Sequence, residues 1–201
     1  MKKAIILSLL LFVFIVRAKA QSTISQQEFG DLIAVLNKED WEKVDPVLKD
    51  YLDRIPKQNV NDGQAAILRY MYITAQSGLM YSKKLSKDEA LKKVKKFEGL
   101  TILRPWNTLS SKQRLNMLSP HNNTIDTLFI TQTNKAGTDL YSFEYIALAE
   151  KLDKDHFDKM TGSLCRVLGT INSITVEGNM FPRFKMKISD AKLEFKEAPM
   201  K

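Results

Sequence analysis

The residue types that could carry out covalent chemistry are few in this chain of 201 residues: one cysteine, Cys165, and two histidines, His121 and His156. Nucleophilic catalysis needs a thiolate beside a base. Cys165 and His156 fall near the start of one strand segment, so a cysteine-dependent enzyme is one reading of the pair. Against it, no H-E-x-x-H, G-x-S-x-G, Walker-type or glycine-rich dinucleotide pattern occurs. Leu164, Val167 and Leu168 flank the cysteine and predict a buried thiol packed as a small hydrophobe. A single cysteine also excludes an intrachain disulfide. Glu150, Asp153, Asp155, His156 and Asp158 concentrate metal-type ligands. Counted from Asp153, however, the glycine that an EF-hand loop needs at its sixth position is Asp158, and Lys151, Lys154 and Lys159 balance the charge as on a solvated helix face. No catalytic residue, cofactor or metal is expected.

Recognition by stacking and charge has more to work with. Tyr141, Phe143 and Tyr145 recur at every second position, and Arg183, Lys185 and Lys187 alternate with Phe184, Met186 and Ile188. In strands, each set shares one face. A ring exposed beside cations accepts the flat side of a sugar or a base, whereas the same ring facing inward is core. The candidate ligand surface is therefore Tyr141, Phe143, Tyr145, Arg166, Phe181, Arg183 and Lys185, with both orientations of the aromatic row left open.

The chain begins with Lys2 and Lys3, an apolar run from Ala4 to Val16, and Ala18-Lys19-Ala20 before Gln21. This predicts a cleaved signal peptide over residues 1–20, of bacterial type. The run is shorter than the ~20 residues of a spanning helix, so no stable membrane insertion is expected after cleavage. Loss of Lys2, Lys3, Arg17 and Lys19 takes the formal charge from +8 to +4. Half of the apparent basicity is thus targeting, and the remainder is an ordinary solubility value that gives little support to a nucleic-acid partner.

Four helices should follow. Phe29, Leu32, Ile33 and Leu36 form one apolar stripe behind a Ser25–Glu28 capping box. Asp45 and Pro46 are placed to open a second helix that ends before Pro56, preceded by a turn around Trp41. Residues 64–77 are apolar on nearly all sides, as a central helix is, with Gly78 as the stop. Ser86 and Glu89 box the fourth, whose Ala90, Leu91, Val94 and Phe97 face inward. Trp41, Ala65, Ala66 and Pro56 make this array similar to a tetratricopeptide-type pair of helical hairpins over residues 24–98. Pro46 or Asp45 and Leu48 stand where that pattern has Gly and Tyr. The resemblance implies a scaffold that packs against a partner, and no chemistry.

Residues 100–123 read as a connector, with a short helix over Ser111–Leu118. Beyond Thr124 the hydrophobic period shifts to two, predicting strands at Ile125–Thr133, Leu140–Ala149, Leu164–Val176, Arg183–Ser189 and Lys192–Lys196, with a short helix inside Lys151–Met160. The run Arg166-Val167-Leu168-Gly169-Thr170-Ile171, then Ile174, then Phe184 to Ala191 resembles OB domains of the anticodon-binding type over residues 124–197. The expected fold is therefore α+β, an N-terminal antiparallel helical array (21–99) and, after the connector, a C-terminal five-stranded, mainly antiparallel OB-like sheet or barrel (124–197), with a tail at 198–201. The expected function is an exported, non-enzymatic binding or interaction protein of the bacterial envelope, periplasmic or secreted, with a protein or envelope glycan as partner. The OB likeness implies the alternative, a binder of single-stranded nucleic acid or another polyanion.

Overall fold

The structure, a computed structural model, describes residues 23–122 and 124–196. The expected signal peptide and the 198–201 tail lie outside the described residues. Among the described residues, four helices come first: α1 (Gln26–Leu36), α2 (Trp41–Arg54), α3 (Gly63–Tyr81) and α4 (Lys87–Lys95), with a 3-10 turn at Lys57–Asn59. Both capping boxes form, Ser25 with Glu28 and Ser86 with Glu89. The second helix differs from expectation: it begins at Trp41 and runs through Pro46. That proline removes one backbone hydrogen bond inside the helix. Asp45 does not cap; its carboxylate accepts from Gln76 Nε2 at 2.5 Å and Lys93 Nζ at 2.8 Å, tying α2 to α3 and α4. Nor does Gly78 stop α3, which continues to Tyr81. A Cβ at position 78 would lie 2.3 Å from Trp41 Nε1, so the glycine lets the indole rest on the helix backbone.

The helices pack on a seven-stranded mixed sheet, which corrects the expected five-stranded, mainly antiparallel OB-like sheet or barrel. Its strands are β1 (Thr101–Leu103), β2 (Asn107–Leu109), β3 (Met117–His121), β4 (Thr124–Thr133), β5 (Leu140–Leu148), β6 (Leu164–Glu177) and β7 (Arg183–Phe195). The order is β1-β6-β2-β3-β4-β5-β7, and β6 pairs with β7 as well. Three of these strands lie within residues 100–123, where none is expected; strands of three to five residues are too short to show a period. The helix expected over Ser111–Leu118 is instead bends and a turn leading into β3. Two pairings are parallel, β2 with β3 and β5 with β7. The way back from β3 to β6 runs through β2 with only two residue pairs on each side, which is no regular barrel wall.

The two last expected strands are one. Asp190 takes φ 50° and makes a bulge between Ser189 and Lys192, opposite Gly169. A Cβ on Gly169 would meet Ile188 Cγ2 at 2.6 Å and the Ser189 carbonyl oxygen at 3.0 Å, so the bulged strand can close on β6 only over a glycine. The short helix before β6, α5 (Lys154–Met160), forms with Asp153 as its cap.

Buried apolar side chains run without a break from Leu32, Leu48 and Leu68 in the helices to Ile102, Ile146 and Phe184 in the sheet. Helix α3 lies at the centre, buried on nearly every side. From it Arg69 donates to the carbonyls of Thr101 and Val60, seating β1, and Ser77 Oγ donates to the Tyr141 carbonyl at 2.5 Å, seating β5. Cys165 is fully buried in β6, and burial pushes its thiol up to about 11.

Candidate functional site

Alternation along β5 decides which rings are available. Ser142, Glu144 and Ile146 are buried beneath α3, while Phe143 and Tyr145 are half-buried on the opposite, outer face. The antiparallel partner β4 places Phe129 across from Tyr145 and Thr131 across from Phe143. From β3, His121 completes the cluster. Its ring meets Tyr145 edge-on at 5.0 Å; Phe129 lies 5.2 Å from Tyr145 and 5.9 Å from Phe143.

The parallel neighbour β7 supplies the charge. With Phe184, Met186 and Ile188 in the core, Arg183, Lys185 and Lys187 must point outward. The Arg183 guanidinium carbon stands 4.6 Å over the Phe143 ring, and Lys185 Nζ stands 5.3 Å over Tyr145. The two cations differ in one respect. Lys185 is paired with Glu177 at 2.8 Å, which with the resulting hydrogen bond raises its pKa, whereas among the described residues Arg183 has no carboxylate partner and its buried Nε has no hydrogen-bond acceptor. A guanidinium over a ring without a carboxylate partner can take part in a charge-assisted hydrogen bond to an anion.

The structure brings together four of the seven residues expected to form a ligand surface, Phe143, Tyr145, Arg183 and Lys185, and separates the other three. Tyr141 belongs to the same face by strict alternation, but β5 is bulged against Gln132 and Thr133, and the extra residue turns toward the helices. There its hydroxyl accepts from Trp41 Nε1 at 3.3 Å and its ring meets Trp41 edge-on at 5.7 Å. Phe181, 56% exposed at the tip of the β6–β7 hairpin, stacks on Tyr81. Arg166 lies over the ring of Trp106 at 5.0 Å and is paired with Glu194 at 2.6 Å.

Sequence reasoning missed the polar group beneath α3. Arg104 and Glu144, both almost fully buried, meet at 2.5 Å. Arg104 also donates to Tyr70 Oη at 2.9 Å and Asn107 Oδ1 at 2.8 Å, and Ser142 Oγ donates to Glu144 at 2.8 Å. Burial alone would lower the Arg104 pKa; Glu144 and Tyr70 outweigh it and leave the guanidinium more firmly charged. Burial raises the Tyr70 phenol far above its usual range, so it serves as a neutral hydrogen-bonding group and not as a base. The signal was there to read: Ser142 and Glu144 break the apolar face that β5 should present inward, but only the fold supplies the partners that make this tolerable. No family model, curated protein or solved structure matches the chain.

Proposed function

We propose that the chain is an exported, non-catalytic binding protein of the bacterial envelope, and that the outer face of β3, β4, β5 and β7 takes an acidic glycan. The observation that carries this reading is Arg183, placed over the Phe143 ring with no carboxylate partner among the described residues, beside the ring of Tyr145. A uronate carboxylate matches the planar donors of a guanidinium, and the partly exposed rings beside it offer apolar surface to the pyranose. Export is supported by the N-terminal residue pattern. The only cysteine is deeply buried with its pKa raised, which argues against thiol catalysis.

Affinity electrophoresis through polygalacturonate, with dextran as the neutral comparison, tests the reading. Retardation by the acidic polymer alone is expected, weakening as salt screens the charges. Tyr145→Ala should reduce it by about tenfold, as loss of a stacking ring does. Equal or stronger binding of a short oligothymidylate would favour the polyanion reading in place of the glycan, and no retardation in either matrix would defeat both.

A further inference from the structure

A cleft of about 370 Å³ opens between the helices and the β4–β5 hairpin, on the other side of the sheet from the aromatic cluster. That volume falls within the range of small-molecule sites, ~300–1,000 Å³. One wall is apolar. Ile33 and Leu36 of α1 face Ile67 and Met71 of α3, and all four remain half-buried, so a strip of hydrocarbon stays open to the cleft.

Two donors at the cleft lack a protein acceptor among the described residues. The Gln132 side-chain amide has two N–H bonds, of which Thr74 Oγ1 takes one at 2.9 Å; no other acceptor for this nitrogen exists among the described residues. Tyr141 Oη accepts from Trp41 and donates its own proton to no protein group among the described residues. Burial pushes that phenol up to about 12, so it keeps the proton at any ordinary pH. At the rim, Glu39 and Lys135 carry opposite charges, and the Glu39 carboxylate is engaged by the Lys135 backbone N–H at 2.7 Å. The charges lining the cleft thus cancel.

We propose that this cleft binds a neutral, mainly apolar small molecule bearing a carbonyl oxygen, whose hydrocarbon lies on Ile33, Leu36, Ile67 and Met71 while the carbonyl accepts from Gln132 and Tyr141. The rim, with Glu39 and Lys135 both present, offers an anion no net positive charge, and a pure hydrocarbon would leave both donors unpaired. The site is separate from the outer face and does not depend on what binds there.

Three matched compounds test the proposal: benzophenone, diphenylmethane, which lacks the carbonyl, and 4-benzoylbenzoate, which adds a negative charge. The readout is the methyl signals of the chain's eight methionines. Benzophenone should shift Met71 saturably and leave Met180, on the hairpin tip, and Met186, in the core, unmoved. Diphenylmethane and 4-benzoylbenzoate should each bind at least ~10-fold more weakly, the loss that follows from one unmade buried hydrogen bond or one unpaired charge. Gln132→Leu should abolish the preference for the ketone. Because Gln132 also contacts Thr74, Ile33→Phe on the open wall is the second variant, expected to cut benzophenone affinity ~10-fold or more by filling the cleft without lowering the melting temperature. Equal affinity for the three compounds, or an unmoved Met71 signal at saturating benzophenone, overturns the proposal. A concentration-dependent dimer abolished by Ile33→Glu would assign the cleft to a second copy of the chain and overturn it as well.

Discussion

Arg183 and Lys185 stand two residues apart on the same strand face over neighbouring rings, yet only one of them is spent on a protein carboxylate. On the proposed reading, the difference separates a structural cation from one kept for a ligand. The alternation in Arg183–Ile188 made the outward direction of both legible in the sequence; that Glu177, directly opposite Arg183 on β6, would instead reach diagonally to Lys185 is a choice between neighbouring cations that a single strand does not encode. Buried charge is equally register-dependent. Glu144→Gln leaves Arg104 buried without its countercharge and should destabilise the protein by ~3–5 kcal/mol in urea unfolding, whereas the double change Arg104→Met with Glu144→Leu should recover most of that loss. If the single and double variants are equally unstable, the pair is not the source of the cost. At the surface, Glu28 is held down to about 2 by the backbone N–H of Ser25 and by Arg54. A depressed carboxylate contributes stability that is complete above its unfolded pKa near 4.5 and is lost as pH falls toward the folded value. The melting temperature should therefore fall between about pH 4.5 and pH 2, and less steeply in Glu28→Gln; parallel profiles would show that the capping carboxylate is not part of the acid response.

Among the elements, the capped helices were the most legible, because Ser25–Glu28 and Ser86–Glu89 state their own starting points within four residues. Helix α2 was not. Asp45-Pro46 is a good opening for a helix, but the structure uses Asp45 as an acceptor for Gln76 and Lys93 and starts the helix five residues earlier, so a tertiary contact overrides a local signal. Gly78 was misread for a related reason: it looks like a terminator and is a contact surface for Trp41. Gly78→Ala sets a gain of about 1 kcal/mol in helix propensity against an overpacking cost of ~1–3 kcal/mol. The indole cannot stay where it is with a Cβ 2.3 Å from Nε1, so a net loss of stability and a shift in tryptophan emission are expected together. Raised stability with unchanged emission would mean that the Trp41 contact is not a constraint.

For the whole molecule, α+β content and the order of helices before strands could be read from the change of hydrophobic period, but strand number and pairing could not. The pairs β5–β7 and β2–β3 are parallel and join segments far apart in the chain or only three to five residues long. The same distant pairing builds the proposed binding face, since β7 brings its cations to β5 across the intervening α5 and β6. Helices and sheet share a continuous core, with the cleft on one side of β4–β5 and the aromatic cluster on the other. The central claim concerns the latter face, and titration calorimetry with trigalacturonic acid on two arginine variants tests it most directly. Arg183→Gln should weaken binding by about 10- to 100-fold, the worth of a charge-assisted hydrogen bond, while Arg166→Gln, whose arginine is already paired with Glu194, should bind as the parent does. Equal losses in both variants, or none in Arg183→Gln, would contradict the account.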